Sequence, residues 1–115
     1  MFEMETNAAN WDTLEWEVVR AGVKRKVFTG EGATMSLTVL DPGHEPRPHS
    51  HIHEQIVYII KGECQFHVGK DVYNLKEGGL LYVPPNVEHY AEVLGKEPVV
   101  DLDVFAPKRA DYIKK

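Results

Sequence analysis

From residue 23 onward the chain alternates short apolar runs with breakers. The runs "VKRKVFTG", "ATMSLTVLDPG", "QIVYIIKG", "CQFHVGKD", "VYNLKEGG", "LLYVPPN", "HYAEVLGKE" and "VVDLDVFAP" are rich in β-branched or aromatic residues, and each is closed by Gly, Pro, Asp or Asn. That pattern predicts strands joined by turns. Strands at such even spacing point to a sandwich or barrel, because an open sheet of this many strands exposes two adhesive edges. Upstream, "LEWEVVRAG" fits a short helix or a strand equally well, and the tail "APKRADYIKK" leaves the last strand through Pro107 as a short, docked, partly helical end. The expected organisation is an all-β, single-domain barrel over 22–106, preceded by an arm or edge strand (1–21) and followed by a C-terminal tail (107–115). A chain of 115 residues with 43% apolar content has room for one core and not for two.

Charge narrows the partners. A net charge of -5 argues against nucleic acid, whose phosphates require an excess of Lys and Arg on one face. The one basic cluster, Arg20, Lys24, Arg25 and Lys26, reads either as a solvated strand or as a local site for an acidic small molecule. Cys64 is the single cysteine, which excludes an intrachain disulfide and fits a buried thiol packed as a small hydrophobe; an intracellular, cytoplasmic setting is the default expectation. The start "MFEMETNAANWDTLEWE" lacks the basic and apolar regions of a signal peptide, and no run approaches a membrane span. Trp11, Leu14 and Trp16 carry more apolar surface than a loose arm would expose, which predicts a homodimer.

The segment "PHSHIHEQIVYIIKG" carries the chemistry. In an extended strand His49, His51, His53 and Gln55 share one face, and Ser50, Ile52 and Glu54 take the other. Parity therefore turns Glu54 away from the histidine row and lets Gln55 continue it, unless a bulge intervenes. From Gly43, five residues lead to His49, one to His51, three to Gln55 and six to Gly62; from Gly78, five lead to Pro84, one to Asn86 and two to His89. These spacings resemble the two motifs of the cupin superfamily, double-stranded β-helix (jelly-roll) barrels with a metal in the mouth. Three positions depart from the pattern. Gln55 stands where the family usually has Glu, Asn86 replaces a glycine, and Val93 stands where Asn often follows the last histidine.

The resemblance implies a ligand set of His49, His51, Gln55 and His89 for one divalent transition metal ion, Zn, Ni, Mn, Fe or Co; the absence of thiolates argues against soft metals. Four neutral ligands leave the ion its full charge, which favours an anionic substrate. His53 lies outside the motif and is expected to contact substrate or to support the ligands. His44 and His67 are expected to be structural or exposed.

A second resemblance rests on "HSHIHEQ", "GVKRKVF" and "DVFAPKRADYI". Together these look like the single-domain cupins of pectin and alginate breakdown, which open the ring of 4,5-unsaturated uronates. It implies a small anionic sugar as substrate, with the metal holding its carboxylate and a ring hydroxyl. Asp103 would be the general acid/base, Phe105 would pack on the sugar, and Arg109 would hold a carboxylate or pair with Asp111. Against this stands the usual meaning of alternation in "VVDLDVF", which turns Asp101 and Asp103 outward into solvent. Two other readings share the metal barrel: an oxygen-dependent dioxygenase and a non-catalytic binder of sugar acids.

Overall fold

A computed structural model describes residues 6–113. The first five residues of the arm and the last two of the tail lie outside the described residues. Nine strands form among the described residues: β1 (Glu17–Arg20), β2 (Val23–Thr29), β3 (Thr34–Leu40), β4 (Glu54–Lys61), β5 (Glu63–Val68), β6 (Asp71–Leu75), β7 (Leu80–Val83), β8 (His89–Leu94) and β9 (Val99–Ala106). The ambiguous "LEWEVVRAG" resolves as strand because its residues 17–20 pair with β2. Single 3-10 turns at Trp11–Thr13 and Ala110–Tyr112 flank the barrel, and no helix among the described residues is long and apolar enough to cross a membrane.

Two antiparallel sheets face each other, one in the order β1-β2-β3-β9-β4-β7 and the other β6-β5-β8. Between them lies an apolar core that includes Val57, Ile59, Val83 and Val99 on the larger sheet and Cys64, Phe66, Val68 and Ala91 on the smaller. Burial pushes the Cys64 thiol up to about 12, so it packs and does not react.

The larger sheet inverts the ordinary polarity of a strand over part of its width. Along β3 the inward residues are Thr34, Ser36 and Thr38, and the outward ones Met35, Leu37 and Val39. β9 repeats this, with Asp101, Asp103 and Phe105 inward and Val100, Leu102 and Val104 outward. The outward row continues onto Ile56, Tyr58 and Ile60 of β4 and Leu80 and Tyr82 of β7, all exposed. The alternative reading, in which alternation turns Asp101 and Asp103 into solvent, does not hold. They point into the barrel, 2% and 6% exposed, because β9 lies between β3 and β4, where its inward face lines up with Ser36 and Thr38 on one side and Val57 and Ile59 on the other.

The β4–β5 turn depends on Gly62. Its φ is +89°, and an added Cβ would lie 2.7 Å from the Pro98 carbonyl oxygen and 3.0 Å from Val99 Cα. Gly78, with φ +84°, has nothing within 4 Å of such an atom. Gly78→Ala should therefore cost about 1–2 kcal/mol from the left-handed backbone alone, and Gly62→Ala more than that. Urea denaturation of the two variants measures the difference.

Candidate metal centre

The row of histidines is not a strand. β4 begins only at Glu54; residues 52–53 bend, and His49 is held by a single bridge to His89, with His49 N–H donating to His89 O at 3.1 Å and His89 N–H to His49 O at 2.9 Å. The two motifs are joined once more where the Asn86 N–H donates to the His51 carbonyl at 2.7 Å. Asn86 has φ +63°, a conformation that asparagine adopts more readily than most residues. Backbone pairing between two segments distant in sequence thus brings the imidazoles together.

His49, His51 and His89 have their potential ligand nitrogens within 4.8 Å of one another. In each ring Nδ1 lies against a carbonyl oxygen, of Arg47 at 2.8 Å, His53 at 2.9 Å and Val87 at 2.8 Å respectively. A carbonyl only accepts, so Nδ1 carries the proton and the Nε2 lone pair is left free. His51 Nε2 sits 3.2 Å from His89 Nε2 and 3.2 Å from Gln55 Oε1. Three acceptors crowded without a donor repel one another, and a cation among them converts that repulsion into ligation. The residues fit a divalent ion with nitrogen and oxygen donors.

Gln55 is oriented by Asp103: its Nε2 donates to Asp103 Oδ1 at 3.0 Å, which turns Oε1 toward His51. A glutamate at this position would set a second carboxylate against Asp103. The amide serves both neighbours at once, as donor to the acid and as oxygen toward the histidines. Thr38 Oγ1 donates to Asp103 Oδ2 at 3.0 Å.

Asp103 and Asp101 are neighbours in the barrel wall. Burial raises the pKa of both, and Asp101 is raised further by the charge of Asp103, to which it is hydrogen-bonded. Donors from Gln55 and Thr38 favour ionised Asp103, so the proton resides on Asp101. Burial also lowers His51, and lowers His89 to about 4, so these imidazoles stay neutral and available to a metal.

The remaining expected site residues lie close by. Phe105 is 3% exposed and meets the His51 ring edge-on, with centroids 5.5 Å apart. Arg109 is bound to Asp111 through Nε at 3.0 Å and Nη2 at 2.8 Å, and its guanidinium lies over Tyr112 at 4.0 Å. Of its two expected roles, pairing with Asp111 is the one seen. Its Nη1 is buried without a partner. His53 leaves the histidine row because the chain bends where an ideal strand would alternate. Its ring is buried near Phe105, 6.3 Å between centroids, and burial followed by Arg109 lowers its pKa.

These groups open on a cavity of about 340 Å³ whose lining includes His49, Gln55, His89, Asp101, Asp103 and Phe105. That is the size of a small-molecule site. The basic cluster read from the sequence divides here. Arg20 and Arg25 line the cavity, whereas Lys24 and Lys26 lie over Trp16, 4.4 and 4.6 Å from the ring centroid. Sequence reasoning gave the cavity arginines no separate role; for Arg25 the signal available was its place between Lys24 and Lys26 on β2, whereas Arg20 ends β1.

The barrel and its histidines match the family model described as "Cupin domain" over residues 36–105, and the chain belongs to the cupin family. Within it, the chain is 34% identical over 104 residues to the pectin degradation protein KdgF of Dickeya dadantii, covering 89% of this chain and 94% of that one. An RmlC-like cupin from Shewanella frigidimarina superposes with a TM-score of 0.86 at 26% identity, over 95% of this chain and 97% of the other. KdgF from a Halomonas species has the same fold, with a TM-score of 0.85 at 24% identity over 95% and 100% of the two chains.

Titration with Zn(II) or Ni(II) should raise the melting temperature of the wild type and not of His89→Ala. Saturation at a hundred times the dissociation constant stabilises by about 2.7 kcal/mol. Because His51 and His89 remain neutral below the ordinary imidazole value of 6.5, the effect should persist at pH 6 and disappear as the pH falls toward 4. Differential scanning calorimetry across that range checks the direction.

Proposed function

We propose that the protein is a metal-dependent, non-redox enzyme that opens the ring of a 4,5-unsaturated uronate to the linear ketouronate. The observation that carries the reading is the contact between Gln55 and Asp103, which sets a buried carboxylate directly behind the candidate metal ligands. The 34% identity to a pectin degradation protein supplies the substrate class. The metal, when bound, supplies Lewis acidity and a fixed point for substrate oxygens.

The chain's own residues move the proton. Asp103, ionised and held by Gln55 and Thr38, takes the proton of the anomeric hydroxyl and delivers one to C4 as the ring bond breaks. Asp101 keeps its own proton and hydrogen-bonds Asp103. The half-apolar wall made by Phe105, Phe66 and Ala91 limits water around the sugar. Arg109 Nη1, the unspent donor of a guanidinium otherwise held by Asp111, is available to a substrate oxygen.

Ultraviolet absorbance of the unsaturated galacturonate, followed with air excluded, tests this. Metal-loaded wild type should abolish the conjugated signal and a chelated sample should not. Asp103→Asn should lower kcat by about 10²- to 10⁴-fold while binding metal normally. Signal loss that requires oxygen would overturn the reading in favour of the dioxygenase.

The enzyme works as a homodimer in this proposal. Ile56, Tyr58, Ile60, Leu80 and Tyr82 leave the outer face of β4 and β7 apolar and exposed, continuous with Leu102 and Val104. The charged Glu54 and Lys61 stand at the two ends of β4 and leave the rows between them apolar, so the same face of a second copy complements that part. Tyr58→Asp should convert a dimer to a monomer in size-exclusion chromatography with light scattering.

A further inference from the structure

Four arginines line the cavity, and two of them are already neutralised. Arg25 Nε donates to Glu17 at 2.7 Å, and Arg109 is bound twice by Asp111. Arg20 forms no ion pair among the described residues; its Nε donates only to the Glu45 backbone carbonyl, at 3.3 Å. Arg47 reaches Glu45 Oε2 at 3.2 Å, a pair exposed on both sides and weak for that reason. Burial, followed by the charge of Arg47, lowers the pKa of Arg20, and the charge of Glu45 offsets part of this. Between these arginines in sequence lies His44, with both ring nitrogens shielded from solvent and without a hydrogen-bond partner.

The corner is built to hold these groups. The Asp41 N–H donates to the Gly22 carbonyl at 2.8 Å, and the His44 N–H to the Asp41 carbonyl at 3.2 Å, which pins the β1–β2 turn to the turn after β3. Gly22 has φ +80°, and a Cβ there would lie 3.0 Å from His44 Cβ, so the close approach needs glycine. The Arg47 carbonyl also receives His49 Nδ1, which ties this corner to the metal ligands. The His44 nitrogens without partners and an arginine without an ion pair leave hydrogen-bonding capacity beside one cavity, which an anion with two oxygens takes up.

We propose that Arg20, His44 and Arg47 form a carboxylate-binding subsite that holds the acid group of the sugar and leaves its hydroxyls to the metal. The inference rests on the sugar-acid reading above and deepens it, since it moves the carboxylate from the metal to the wall of β1 and the loop after β3. Specificity for uronates over neutral sugars then resides in these three residues.

Calorimetric titration of the metal-loaded protein with galacturonate, which cannot react, and with galactose tests the subsite. Arg20→Gln and Arg47→Gln should each weaken galacturonate binding by about 10- to 100-fold and leave galactose binding unchanged. Arg20→Lys should restore part of the loss, because the charge returns without the planar fork. In turnover the same variants should raise KM for the unsaturated uronate with kcat within about twofold. Galacturonate binding equal to wild type in both Gln variants, each folded and metal-loaded, overturns the subsite, as does a wild type that binds no galacturonate. Turnover with unchanged KM in both variants rejects the subsite and keeps the ring-opening reading. Arginine-dependent galacturonate binding without turnover keeps the subsite and rejects the reading.

Discussion

The pairing of β4 with β9 is the constraint on which the rest depends. It sets Gln55 opposite Phe105 and Val57 opposite Asp103, so the Gln55 amide reaches diagonally to the Asp103 carboxylate. One hydrogen bond then orients a candidate metal ligand and favours the ionised form of an acid whose pKa burial raises. The strands are distant in sequence and meet only because β9 inserts between β3 and β4. Loss of that pairing would separate the histidines from the acid and expose the polar column of Thr34, Ser36 and Thr38.

The polar lining has a cost that the molecule offsets locally. Two carboxylates, three hydroxyl-bearing strand positions and an amide occupy barrel interior that aliphatic residues would fill more stably. Ser36, Thr38, Asp103 and Gln55 satisfy one another in a chain of hydrogen bonds, and Asp101 avoids a second buried charge by keeping its proton. The apolar residues displaced from the interior occupy the outer face of the same sheet. A hollow barrel and an adhesive exterior are thus two results of one alternation.

The cavity's electrostatics follow a similar division. Arg25 and Arg109 are paired to carboxylates and stacked on Tyr112, so they stabilise the wall that carries Phe105. Arg20 and Arg47 are left with a carbonyl and an exposed glutamate. Positive charge held by weak partners alone thus lies on the cavity wall that also carries His49 and His89.

Much of this was legible in the chain itself. Strand-and-turn periodicity gave the β class, and motif spacing named His49, His51, Gln55 and His89, because the number of residues between turns sets which side chains can converge. Parity on an ideal strand misplaced His53, since the backbone bends before β4 begins. Alternation alone cannot say which face of a strand is inside: "VVDLDVF" has two faces, and only the neighbours of β9 decide that the aspartates point inward. The sequence by itself determined the periodicity, the turns and the ligand spacing, which are local properties of the chain. The tertiary structure decided the reason for Gln55, the burial of Asp103 and the gathering of Arg20, His44 and Arg47, because each depends on contacts between segments that sequence distance does not relate.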